Sequence, residues 1–64
     1  MTKYDKQVQY IRDYLQKATP NVLDVLTQDL DISRQSLYNY KNKGPSKRSR
    51  VHLLLVDYLD LRNL

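Results

Sequence analysis

The densest concentration of hydrogen-bonding chemistry in this chain is the run SRQSLYNYKNKG, Ser33 to Gly44. Arg34 and Gln35 carry planar donor and acceptor groups of the kind that pair bidentately with guanine and adenine edges. Tyr38 and Asn39 follow one helical turn later on the same side. Both are able to reach a base, a thymine methyl or a phosphate, whereas Leu37 and Tyr40 fall on the opposite, core-facing side. Ser33 and the cations Lys41 and Lys43 flank this set as candidate phosphate contacts. A second cluster, SKRSR, places Lys47, Arg48 and Arg50 at the expected start of another helix, where the macrodipole disfavours positive charge. An external phosphate would offset that local penalty.

The charge distribution points the same way. Six of the eleven Lys and Arg lie between Ile32 and Val56, where no acid falls, and all seven acids are aspartates outside that segment. A molecule polarised in this way attracts polyanions, nucleic acid being the commonest for a small domain. Catalysis finds little material. His52 is the only histidine, and there is no glutamate, cysteine or glycine-rich loop. His52 reads as a helix-surface residue. Asp57 and Asp60 are two carboxylates without further ligands, a poor metal site that reads instead as solubilising charge. Neither cofactor nor metal nor small-molecule ligand is expected, and the reading is of a non-enzyme.

Helices must position these residues. Tyr4, Val8, Ile11, Leu15 and Ala18 recur at helical spacing, predicting a first helix from about Lys3 to Ala18. Thr19 or Asn21 caps a second, with Pro20 in its first turn and Val22, Leu23, Leu26 and Leu30 inward. Ser33 caps a third, ending near Asn42 before Gly44 and Pro45. A fourth opens at Pro45 or Ser46 and carries Val51, Leu54, Leu55, Tyr58 and Leu59 on one side, with Leu53 and Val56 pointing elsewhere. The expectation is an all-α, compact four- to five-helix bundle forming one domain over residues 1–64, with a helix-turn-helix at about 22–42. A domain of 64 residues buries only about 60% of the surface its unfolded chain exposes. The apolar surplus at Leu53, Val56, Leu61 and Leu64 therefore predicts a homodimer interface. The start of the chain lacks the apolar run of a signal peptide, and no stretch is apolar enough to span a membrane. A cytoplasmic, nucleoid-associated protein is expected.

The sequence from about Val22 to Leu61 resembles the lambda Cro/Xre-like family. Its turn of leucine, glycine, branched apolar residue and serine is matched by Leu30, Asp31, Ile32 and Ser33 except at Asp31, and aspartate tolerates the positive φ that the turn requires. Leu59-Asp60-Leu61 looks like the family's second such turn with the same replacement, implying that the last helix ends near Leu59. The third helix also resembles the recognition helix of TetR-type repressors in Leu37, Tyr38 and Tyr40, departing from that motif at Lys41. This shorter chain leaves no room for their ligand-binding domain. The resemblance implies a sequence-specific DNA-binding regulator, a dimeric repressor of phage, plasmid or other mobile-element type, with double-stranded DNA as partner. Two alternatives are an antitoxin-like or anti-repressor protein-interaction module, and an accessory factor in recombination or plasmid maintenance.

Overall fold

A computed structural model describes residues 2–45 and 50–64. The described residues form four helices, α1 (Lys3–Lys17), α2 (Pro20–Leu30), α3 (Arg34–Lys43) and α4 (Arg50–Tyr58), and contain no strand. Each of the first three begins where a hydroxyl side chain satisfies a backbone N–H that the helix cannot. Thr2 Oγ1 accepts from Asp5 N at 3.1 Å while Asp5 Oδ2 accepts from Thr2 N at 3.4 Å, a reciprocal capping box. Thr19 caps α2 through Val22 N, with Pro20 in the first turn, and Ser33 caps α3 through Ser36 N. Gly44, at φ +83°, ends α3 with its N–H donated to the Tyr40 carbonyl at 2.8 Å.

α3 packs on both α1 and α2, and α1 also packs on α4. The buried apolar set is Ile11 and Leu15 from α1, Leu26 from α2, Ile32 from the turn, Leu37 and Tyr40 from α3, Leu55 and Val56 from α4, and Leu61 beyond it. α1 is rotated relative to the expected stripe. Tyr4 is 45% exposed, and its place on the inner face goes to Gln7, whose Nε2 donates to the Leu61 carbonyl at 2.9 Å. Val8 and Ala18 are only half-buried.

α4 keeps most of its expected inner side and departs from it at three residues. Leu55 is buried and Val51, Leu54 and Leu59 pack against the core as expected, but His52 and Val56 are buried beside them and Tyr58 is exposed. His52 is 5% exposed and not a surface residue. Val56 and Leu61, expected at a dimer interface, are buried within this one chain. The reason is the turn after α4: Asp60 takes φ +55°, Leu61 N donates to the Val56 carbonyl at 2.9 Å, and the chain folds Leu61 back under Gln7. Leu53 and Leu64 remain exposed from the expected interface set.

The two Leu-Asp turns share one geometry. Asp31 sits at φ +52°, and Ile32 N donates to the Thr27 carbonyl at 3.2 Å, five residues back, as Leu61 N does to Val56. This is the six-to-one closure with which helices end on a left-handed residue. Aspartate occupies that conformation at a cost that glycine does not incur and alanine incurs more heavily. Asp31→Gly is therefore expected to preserve or raise stability, and Asp31→Ala to lower it by about 1 kcal/mol. Chemical denaturation followed by circular dichroism measures both.

Candidate nucleic-acid interface

α2, a three-residue turn at 31–33 and α3 form the framework of the candidate surface. The α3 face opposite the core presents Gln35, Tyr38 and Asn39, all exposed, with Tyr38 at 40%. Gln35 Nε2 donates to Asn39 Oδ1 at 3.2 Å, linking the two amides across one turn. The bond leaves the Gln35 carbonyl oxygen, its second amide hydrogen and the Asn39 amino group directed at solvent. These are the groups that adenine edges and purine N7 atoms pair with. On the other side Leu37 and Tyr40 are each 2% exposed. Ser36, half-buried where α3 approaches its neighbours, shares a 3.0 Å hydroxyl contact with Ser33.

Arg34 is placed differently from its expected partners. It is exposed at the first residue of α3, but its Nη2 donates to the Pro20 carbonyl at 3.0 Å and forms an ion pair with Asp24 of α2. Its guanidinium thus ties the start of α3 to the first turns of α2. Among the expected phosphate contacts, Ser33 is engaged in capping, Lys43 and Arg50 are exposed, and Lys41 is half-buried. Lys47 and Arg48 lie outside the described residues.

Two residues that sequence reasoning did not single out, Arg12 and Asp24, and one that it read as surface, His52, hold this surface in place. Arg12 of α1 donates from Nε to the Lys41 carbonyl at 3.2 Å and from Nη2 to the Asn42 carbonyl at 3.3 Å, capping the C-terminus of α3 where the macrodipole favours a cation. Asp24 holds Arg34 at the other end. His52 lies behind α3, with Nδ1 2.7 Å from the Tyr40 hydroxyl, and Tyr4 stands over its ring at 4.8 Å between centroids. Burial raises the Tyr40 phenol well above its ordinary value and lowers the His52 imidazole below its own. Both groups are then neutral near pH 7, and the hydroxyl and Nδ1 share a single hydrogen bond. Nothing in the local sequence signals Arg12 or Asp24, because their partners lie on other helices. His52 had a signal in its position three residues before Leu55 and four before Val56, on the inner stripe of α4.

Asp57, weighed above beside Asp60, is instead paired with Arg62, whose Nε donates to it at 2.8 Å. Among the described residues no cluster of three His, Cys, Asp or Glu side chains forms, and no helix is long and apolar enough to cross a membrane. No family model matches the chain, and neither a curated protein nor a solved structure matches it.

The buried pair couples the support of α3 to pH. A histidine whose folded pKa is lowered contributes stability that is fully present above its unfolded value of 6.5 and is lost as pH falls through 6.5 toward the lower folded value. Stability should therefore decline on acidification below pH 6.5, by at most about 1.4 kcal/mol per pH unit from this one proton. Tyr40→Phe should cost about 1–3 kcal/mol by removing the hydroxyl that pairs with buried Nδ1. Denaturation at several pH values, with NMR titration of the single histidine, checks both.

Proposed function

We propose that this protein is a sequence-specific DNA-binding regulator, a repressor of the compact mobile-element kind, that reads the major groove with the exposed face of α3. The observation that carries this reading is the division of α3 into two sides. Leu37 and Tyr40 anchor it in the core, while Gln35, Tyr38 and Asn39 stand together in solvent. The Gln35–Asn39 bond itself stabilises the helix by only about 0.2–0.5 kcal/mol. A base-reading face uses the same amides to supply the paired donor and acceptor that distinguish adenine from other bases. The acid-free segment from Ile32 to Val56 supports the same reading by supplying sequence-independent attraction to phosphate. Arg50, exposed at the start of α4, together with Lys43 and the adjoining Lys47 and Arg48, would meet the backbone and fix the register of the domain.

The double-stranded site would be read by a pair of domains. One domain of this size offers a single short helix to the groove, and two copies on successive turns of one DNA face would give paired half-sites roughly 34 Å apart. Within the C-terminal region the apolar side chains exposed for such pairing are Leu53, at 65%, and Leu64, with Tyr58 near them in sequence.

Selection from a pool of random duplexes tests the proposal. The expected outcome is a short enriched motif, appearing as a near-palindrome with half-sites about one helical turn apart. Gln35→Ala and Asn39→Ala should each cost about 1–3 kcal/mol on that motif and relax preference at particular bases. Equal losses on every sequence would reduce both residues to backbone contacts, and a pool that yields no motif would contradict the function.

A further inference from the structure

The ion pair between Asp24 and Arg34 changes what the start of α3 can recognise. A guanidinium offers guanine two forks, end-on through Nη1 and Nη2 and side-on through Nε and Nη2, and both require Nη2. In this structure Nη2 carries both bonds to α2, one to the Pro20 carbonyl and one to Asp24 Oδ1. A nitrogen with two hydrogens has none left for a base. Neither fork is complete while the tie to α2 stands.

We propose that Asp24 is a specificity-determining residue: by occupying Arg34 it withholds guanine recognition from the first turn of α3 and leaves base reading to the neutral groups of Gln35, Tyr38 and Asn39. This rests on the DNA-binding function proposed above and changes its expected site. Arg34 becomes a positioning residue that fixes the angle of α3 against α2, and the enriched motif carries no guanine requirement opposite the first turn. Asp24 also cancels the one cation of that turn. The sequence-independent attraction to phosphate is therefore left to residues farther along the chain.

Asp24→Ala releases Arg34 from its ion pair at small cost to the fold, because an ion pair this exposed contributes little, the Pro20 carbonyl still holds Arg34 and alanine is the most favourable residue in the body of a helix. The variant should acquire a preference of about 5- to 150-fold for guanine at one base pair per half-site. Its slope of log affinity against log salt should steepen by about 0.9 per domain. Arg34→Ala, which loosens α3 on α2, should lower affinity alike on every duplex while keeping the order of the wild-type base preferences, and in the Asp24→Ala/Arg34→Ala double variant the new guanine preference should vanish. Removing an acid raises affinity for any polyanion, so a gain that survives in the double variant without a change of base preference would assign Asp24 a purely electrostatic role and overturn the proposal. It would be overturned equally if Arg34→Ala relaxed a guanine preference already present in the wild type, since Arg34 would then read the base while bound to Asp24. Wild-type binding with an enriched motif but unaltered Asp24→Ala preferences sinks this inference alone. Absence of any wild-type motif sinks the DNA-binding function with it.

Discussion

The structure depends on how α3 is held, because that helix has ten residues and buries only Leu37 and Tyr40 among them. A helix so short is marginal in water and does not persist on propensity alone. Its anchors come from all sides. Ser33 satisfies its first turn, Gly44 and Arg12 satisfy its last carbonyls, Arg34 ties it to α2, and the Tyr40 hydroxyl bonds to His52 of α4. These restraints leave one side of the helix free to carry chemistry that contributes nothing to the fold. The exposed amides are affordable because the buried side and the two ends supply the stability.

The same economy explains the rest of the molecule. With a small core, every inward position must count, and two polar residues take inward positions only because each has a partner: Gln7 with the Leu61 carbonyl and His52 with Tyr40. The Gln7 bond closes the C-terminal turn onto α1, which brings Leu61 into the core. A chain expected to need a second copy to cover its apolar surplus thus covers Val56 and Leu61 by itself. Of the four residues expected at a dimer interface, Leu53 and Leu64 remain exposed.

The fold was largely legible because its punctuation is local. Thr19, Ser33, Gly44 and Pro20 each act within three or four residues of their own position, so helix boundaries follow from residue type. Asp31 and Asp60 were readable as left-handed turns through the resemblance to a leucine-glycine turn, because aspartate is among the few residues that accept the positive φ of the glycine it replaces. Helix rotation was less accessible. The α1 stripe was read with Tyr4 inward, and Gln7 is buried there instead because its amide meets the carbonyl of Leu61, fifty-four residues away. At the candidate site, the exposure of Gln35, Tyr38 and Asn39 followed from the helical period. The engagement of Arg34 did not, since Asp24 meets it only after α2 and α3 have packed.

The division of α3 into a structural side and a reading side is most directly tested by NMR titration of isotope-labelled protein with a duplex selected for binding. The account predicts that backbone amide shifts concentrate on Ser33 to Asn39 and on Arg50, with side-chain amide shifts at Gln35 and Asn39, while Tyr10, Asp13 and Lys17 on the exposed side of α1 stay unmoved. Shifts confined to α1 and Leu64, with the amides of Gln35 and Asn39 unchanged at saturation, would contradict it.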